Sequence, residues 1–169
     1  MQETTLGDVT RLINAVNAAR GWRESSAGAA ARAAPAAAER RLETRFGVSR
    51  TLAVYGTLAP ERPNHHVIAP LGGEWTAGVI EGELSPEGWG ATLGYPAFRP
   101  RVGGPAIAVQ VLISPALPTA WPALDQFEGS EYRRILVPVF QPGAAGERLL
   151  YTVANVYAAA AERPDRAAR

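Results

Sequence analysis

Five short segments rich in β-branched and aromatic residues, separated by glycine and proline, dominate the chain from Thr51 onward. Their sequences are TLAVY, EWTAGVIEGEL, AIAVQVLI, YRRILVPVF and RLLYTVANVYA. Segments of this length and composition are typical of β-strands. Only one convincing helical pattern, Leu117 to Glu128, interrupts them, so strand and helix do not alternate as they do in a doubly wound parallel sheet. The pattern favours an α+β fold of at least five strands, arranged as a small mixed, mainly antiparallel β-barrel or curled sheet with flanking helices.

The residues before this region are predicted to form a helical extension. Apolar residues recur at helical spacing from about Thr5 to Arg20, and Gly21 closes the run. The segment Ser25 to Ala38, SSAGAAARAAPAAA, is low in complexity and interrupted by a proline. We interpret it as a linker or a frayed helix, followed by a second short helix over ERRLETRF.

These differences in composition and residue pattern divide the chain into three predicted parts. Residues 1–49 are expected to be the helical extension with its Ala-rich linker, 50–158 one domain with its own core, and 159–169 a solvated tail. The apolar stripe of the first helix must be buried against something. We favour its own barrel over a second chain, because one short helix offers little area for a stable dimer. The oligomeric state stays open.

Composition removes several functional classes. The 169-residue chain has no cysteine, and all 17 of its basic residues are arginine. The lack of cysteine excludes disulfides, thiolate nucleophiles and most zinc sites, and the lack of lysine excludes Schiff-base chemistry. The arginines are spread among 16 acidic residues, for a net charge of +1, which does not favour a nucleic-acid partner. No apolar run approaches the ~18 residues of a membrane span, so a soluble cytoplasmic protein is the default expectation.

One acidic residue occupies a position in the helical pattern where an apolar residue is expected. The apolar stripe of that helix consists of Leu117, Trp121 and Leu124. At roughly 100° per residue, Glu128 falls in the middle of the stripe, and Gly129 follows as the left-handed residue that ends the helix. A carboxylate in an apolar face has a raised pKa, which is how a general base is produced. The alternative is that the last turn frays, so that Glu128 reaches solvent or pairs with Arg133 or Arg134.

A second candidate site follows the first predicted strand. The stretch LAVYGTLAPERPNHH runs from a buried strand into a loop held by two prolines. Glycine permits positive φ and close backbone approach, so the N–H groups of Gly56, Thr57 and Leu58 can form a concave nest for an anion such as a carboxylate. The alternative is an ordinary turn at the end of a strand.

Other polar residues give weaker indications. His65 and His66 are adjacent, so in an extended segment their side chains point apart and do not readily chelate one metal ion. Surface contact or hydrogen bonding near the loop is the expected role of this pair. Tyr95, in LGYPAF, is predicted to shape a pocket wall, with a purely structural turn as the alternative. Arg133 and Arg134 alternate across a strand, so one is expected to face the pocket and the other solvent.

Four motifs in sequence order, VYGTL, NHH, GYPAF and LDQFEG followed by YRR, resemble the γ-glutamylcyclotransferase family, which includes the γ-glutamylamine cyclotransferases and the plant AIG2-like proteins. The resemblance covers Thr51 to about Ala158. It implies a small β-barrel with flanking helices. It also implies that Glu128 is the catalytic acid/base and that the loop of Tyr55, Gly56, Thr57 and Leu58 binds the glutamyl group. We assign Tyr95, as a predicted wall residue, to the same substrate-binding pocket.

The reaction that this resemblance implies needs no enzyme nucleophile, metal or cofactor. The α-amine of a γ-glutamyl amide or peptide attacks its own γ-carbonyl, which gives 5-oxoproline and a free amine or amino acid. A single carboxylate with a raised pKa, Glu128, can take the proton from the attacking nitrogen and give one to the leaving nitrogen. The expected partner is therefore a small γ-glutamyl compound. The alternative is a non-catalytic AIG2-like module that binds a small molecule or another protein.

Overall fold

The apolar, β-branched segments of the second half of the chain form a closed barrel in the computed structural model, which describes residues 4–22, 34–85 and 96–160. The strands in chain order are β1 (Thr51–Val54), β2 (Glu74–Ser85), β3 (Ala97–Pro100), β4 (Ala106–Ile113), β5 (Tyr132–Pro142) and β6 (Arg148–Ala159). The sheet order is β3-β2-β4-β1-β6-β5, and a β2–β5 pairing of Val79 with Phe140 closes a five-stranded barrel. The strand β3 pairs with the last four residues of β2, Gly82–Ser85, and extends the sheet there.

The barrel is mixed but mainly antiparallel. The pairing of β1 with β6 is parallel, and the other pairings are antiparallel. Alternate residues of each strand point inward, because successive side chains of a strand lie on opposite faces. The buried residues of the barrel interior are Ala53, Ile80, Phe98, Ile107, Val109, Val111, Ile135, Val137, Val139, Ala154, Val156 and Ala158. The predicted fold class, a small mixed, mainly antiparallel β-barrel with flanking helices, is confirmed.

Two helices from the start of the chain cover the outside of β5 and β6. They are α1 (Leu6–Ala19) and α2 (Pro35–Phe46), and none of the described helices is long and apolar enough to cross a bilayer. Their apolar faces form one cluster with Leu136 of β5 and Val153 of β6. The apolar stripe of α1 is therefore buried against the barrel of its own chain.

The start of α2 differs from the sequence interpretation. Pro35 to Ala38 was interpreted as part of a linker or a frayed helix, and the second helix was expected to begin after it, yet Pro35 is the first residue of α2. Proline is well suited to this position, because its missing N–H would have no partner in the first turn and its φ is already helical. The rest of the Ser25 to Ala38 segment, up to residue 33, lies outside the described residues.

The third helix, α3 (Leu117–Glu128), has the predicted bounds and packs on the outer face of the barrel, in one buried cluster with Leu52 and Val54 of β1. Its buried face consists of Leu117, Trp121 and Leu124, as expected. The next residue, Gly129, has φ 80° and ψ 179°, so the left-handed helical conformation expected there is wrong, although the positive φ still favours glycine.

Candidate active site

A cavity of about 80 Å³ lies where β1 ends beside the last turn of α3. Its lining residues are Leu52, Ala53, Val54, Tyr55, Gly56, Thr57, Leu58, Pro96, Glu128, Tyr132 and Tyr157. The structure thus brings the carboxylate of Glu128 and the Tyr55 to Leu58 loop to one cavity. Tyr95 lies outside the described residues, while its neighbour Pro96 lines the wall.

Glu128 occupies this cavity as a half-buried carboxylate. Within residues 4–22, 34–85 and 96–160, no hydrogen bond or ion pair reaches its side chain. Burial raises the pKa of the Glu128 carboxyl to about 7, because the charged form loses hydration without a compensating positive charge. Arg133 and Arg134 make other contacts: Arg133 Nη1 donates to the carbonyl of Arg20 at 2.7 Å, and Arg134 pairs with Asp125 at 2.8 Å. Neither arginine lines the cavity.

The loop after β1 presents backbone donors to the same cavity. Ala59 N–H donates to the Gly56 carbonyl at 3.2 Å, and Asn64 N–H donates to the Thr57 carbonyl at 3.0 Å. The N–H groups of Gly56, Thr57 and Leu58 have no acceptor within the described part of the chain. These three N–H groups can therefore donate to water or to a bound anion.

Gly56 does not adopt the positive φ that the sequence suggested, and none of Gly56, Thr57 and Leu58 has a left-handed backbone. The loop is therefore an ordinary turn. It is not an anion-binding nest, in which residues of right-handed and left-handed backbone conformation alternate. A Cβ added to Gly56 would meet no heavy atom within 4 Å. Because Gly56 lines the cavity, glycine here leaves room in the cavity instead of relieving the backbone.

The segment Asn64 to His66 supports this turn from behind. Asn64 Nδ2 donates to Thr57 Oγ1 at 3.0 Å, and His65 Nδ1 lies 2.9 Å from the Leu58 carbonyl. The Nδ1 atom of His66 lies 3.1 Å from the Pro63 carbonyl. The two imidazoles therefore bond to different carbonyls, and His65 is bonded to the loop itself. Among the residues that the structure describes, no group of three or more His, Asp or Glu side chains is arranged around a common metal position.

Tyr55 ties three strands together beside the cavity. Its hydroxyl donates to the Tyr157 carbonyl of β6 at 2.9 Å and accepts from the Phe98 N–H of β3 at 3.3 Å. Burial raises the pKa of the Tyr55 phenol, so this hydroxyl stays protonated and keeps donating. Tyr55 therefore fixes the wall of the cavity through its hydroxyl.

Sequence reasoning missed two further phenols of the lining, Tyr132 and Tyr157. The Tyr157 hydroxyl donates to Asp125 Oδ1 at 2.7 Å, and burial raises the pKa of this phenol. Burial and the negative charge of Glu128 raise the pKa of Tyr132. A tyrosine at the end of an otherwise apolar strand, as in VANVYAAA, is the signal that could have drawn attention to Tyr157.

A second, more polar groove adjoins the cavity and shares Val54, Tyr55 and Gly56 with it. It has a volume of about 480 Å³, and its other lining residues are Ala59, Pro60, Glu61, Arg62, Ala108, Val109 and Gln110. Glu61 has a φ of 65°, a backbone conformation that residues other than glycine rarely adopt. The small cavity therefore adjoins a larger groove that carries both a negative and a positive side chain.

The chain is similar in sequence to one protein family and in fold to several solved structures. The family model described as "Gamma-glutamyl cyclotransferase, AIG2-like" matches residues 52–168. An AIG2-like protein from Mus musculus has a similar fold, with a TM-score of 0.51 and 22% identity over 68% of this chain and 80% of that chain. YkqA from Bacillus subtilis gives a TM-score of 0.47 and 24% identity, over 65% of this chain and 35% of its own. A protein from Arabidopsis thaliana gives a TM-score of 0.45 and 20% identity, over 68% of this chain and 71% of that chain. No curated protein sequence matches this chain.

Proposed function

The chain belongs to the γ-glutamyl cyclotransferase, AIG2-like family, and from this premise we propose that it converts a γ-glutamyl amide or peptide to 5-oxoproline, with Glu128 as the acid and base. The observation that carries the proposal is the state of Glu128: a half-buried carboxylate with no partner among the described residues and a pKa of about 7. Near neutral pH both protonation states of such a group are populated, as a residue that first accepts and then donates a proton requires.

The turn after β1 would bind the substrate by its α-carboxylate. The free N–H groups of Gly56, Thr57 and Leu58 provide three donors for that anion at the edge of the cavity. Anchoring the α-carbon there while the γ-carbonyl occupies the cavity folds the flexible glutamyl chain, so that its α-nitrogen comes close to its γ-carbon. Holding this conformation converts an improbable encounter into a favourable one, and ring closure needs no enzyme nucleophile.

Glu128 moves one proton from the attacking nitrogen to the leaving nitrogen. As the neutral α-amine forms its bond to the γ-carbon, the carboxylate of Glu128 accepts a proton from that nitrogen. As the bond between the γ-carbon and the original amide nitrogen breaks, the protonated Glu128 donates the same proton to the leaving nitrogen. The products are 5-oxoproline and a free amine or amino acid, and Glu128 returns to its starting ionised form.

The larger groove lined by Glu61 and Arg62 is where the leaving group would lie. It shares Gly56 with the cavity, so a group attached to the γ-carbonyl can extend into it. A groove that carries opposite charges accommodates a polar leaving group better than a purely apolar one.

The test is to incubate the purified full-length protein with a panel of γ-glutamyl dipeptides and γ-glutamyl amines and to measure 5-oxoproline. Wild type should release it from at least one member of the panel, and Glu128→Gln should not. The matched control is Glu131→Gln, because Glu131 is exposed on the turn after α3 and does not line the cavity. If no member is cyclised while γ-glutamyl compounds still bind, the protein is instead a non-catalytic binding module.

A further inference from the structure

The helix α1 lies outside the segment that matches the family model, yet it is bonded to the backbone of the barrel. Asn17 Nδ2 donates to the Leu136 carbonyl at 2.8 Å, and the Leu136 N–H donates to Asn17 Oδ1 at 2.7 Å. Arg133 Nη1 donates to the carbonyl of Arg20 at 2.7 Å. The C-terminal end of α1 is thus fixed on β5 by the Asn17 side chain of α1 and the Arg133 side chain of β5.

Arg20, just after α1, enters a chain of polar contacts that leads toward the cavity. Its Nη1 donates to Asn155 Oδ1 at 2.8 Å, and Arg134 Nη1 donates to the same oxygen at 3.3 Å. Asn155 is fully buried, and its Nδ2 donates to the carbonyls of Val48 at 2.6 Å and Thr51 at 3.2 Å. These bonds fix the orientation of the Asn155 side chain, and its Oδ1 atom holds the two guanidinium groups close together.

Arg134 carries this arrangement to the helix that bears Glu128. Its Nε and Nη2 donate to Asp125 Oδ1 and Oδ2 at 2.8 and 3.1 Å, and its guanidinium lies over the Trp121 ring at 4.4 Å. Trp121, Asp125 and Glu128 follow one another at helical spacing along the same face of α3. Arg134 thus holds the face of α3 from which Glu128 enters the cavity.

We propose that α1 is a part of the active-site architecture and that Arg20 is a positioning residue for Glu128, acting through Asn155 and Arg134. Arg20 occupies Asn155 Oδ1 and repels the guanidinium of Arg134, so both effects direct Arg134 toward the carboxylate of Asp125. Removal of Arg20 frees Arg134 to shift onto Asn155, which loosens the last turn of α3 and admits water to Glu128. The catalytic consequence rests on the proposed function, whereas the burial of Glu128 is a property of the folded protein.

The pKa of Glu128, measured by ¹³C NMR of the side-chain carboxyl in the full-length protein, tests the structural step without any substrate. In Arg20→Ala this pKa should fall from about 7 toward the ordinary range of glutamate, because water reaches the carboxylate. The groups that face Glu128 are the phenols of Tyr55, Tyr132 and Tyr157. The pKa of each phenol is raised, so they remain neutral and do not obscure the titration.

Two control variants separate positioning from loss of helix packing. Arg11→Ala removes an exposed arginine of α1, whose partner is Asp8, and it should leave the Glu128 pKa at the wild-type value. Asn17→Ala removes the bonds to Leu136 and destabilises the same helix without touching Asn155 or Arg134. It should lower the melting temperature but change the pKa less than Arg20→Ala does.

Kinetics give the second measurement. Because a small displacement of a catalytic group costs roughly tenfold to a hundredfold in rate, kcat of Arg20→Ala should fall by that factor while KM changes little. Arg20→Lys keeps the charge and one donor for Asn155, so it should restore part of kcat. A Glu128 pKa unchanged in Arg20→Ala, or a kcat no lower than that of Asn17→Ala, overturns the inference. If wild type forms no 5-oxoproline, the proposed function fails, and the NMR titration alone decides whether Arg20 holds Glu128 in place.

Discussion

Replacing Glu128 by glutamine should inactivate the protein and at the same time make it more stable at alkaline pH. Glutamine has the size and shape of the protonated glutamic acid but cannot ionise. In wild type, the folded protein holds the Glu128 proton more tightly than the unfolded chain does, with a pKa of about 7 against 4.5 for an unperturbed glutamate. An unpartnered carboxylate in a cavity is therefore a source of instability that the variant removes.

The size of the effect follows from these two pKa values. Because the folded-state value is the higher one, wild type has its full stability below pH 4.5, loses stability as the pH rises from 4.5 to 7, and is constant above 7 with respect to this group. The difference corresponds to about 3 kcal/mol, an upper value because Glu128 is only partly buried. For a chain of this size that is roughly 6–12 °C in melting temperature.

Thermal unfolding of wild type and Glu128→Gln at several pH values measures this directly. Above about pH 8 the variant should melt at the higher temperature, and the two curves should converge near the pKa of an ordinary glutamate. In the 5-oxoproline assay the same variant should lose at least about a hundredfold in kcat, the range for removal of a general acid–base group. Glu131→Gln should change neither property, because Glu131 is exposed.

Two results would refute this reasoning. If the melting temperature of Glu128→Gln is no higher than that of wild type at alkaline pH, Glu128 is not a carboxylate held at the expense of stability. If the variant turns over substrate within about tenfold of wild type, Glu128 does not move both protons.

Other substitutions test the remaining parts of the site and fold. Gly56→Ala should keep the melting temperature but weaken binding of the product 5-oxoproline about tenfold or more, since its Cβ enters the cavity; isothermal titration measures this affinity. Burial alone would raise the pKa of Asp125, but hydrogen bonds from Arg134 and Tyr157 outweigh it and lower that pKa. Asp125→Asn should therefore be less stable than wild type at neutral pH, with a difference that vanishes as the pH falls below the folded pKa of Asp125. Leu12→Ala should cost about 2–5 kcal/mol in denaturant unfolding. Exhaustive chelation should leave the rate of cyclisation unchanged.

The sequence was sufficient for features that depend on local spacing. The bounds of α3 were predicted because its apolar residues repeat at the helical period and Gly129 follows its last residue. Glu128 was singled out by the same spacing, since a charged residue on an apolar stripe is visible without coordinates. Five of the six described strands, all except β3, were also found, because their β-branched residues are flanked by glycine and proline.

Local patterns failed where a short segment depends on distant partners. The four residues of β3, Ala97–Pro100, carry too little sequence signal to be recognised alone, and they are a strand only because Gly82–Ser85 of β2 provides their hydrogen bonds. The Ala-rich start of α2 is helical because its face packs on α1 and the barrel, where Ala38 is almost completely buried.

The sequence by itself determined which carboxylate and which loop stand out as candidate site residues, because composition and period are properties of neighbours along the chain. Only the tertiary structure decided that Glu128 and the Gly56 turn line one cavity, and that burial without a partner raises the pKa of Glu128. It also decided that Arg134 bonds to Asp125 rather than to Glu128, and that Arg20 meets Arg134 at Asn155. The physical reason is that desolvation and ion pairing depend on distances between residues far apart in sequence, which closure of the barrel fixes and no local pattern encodes.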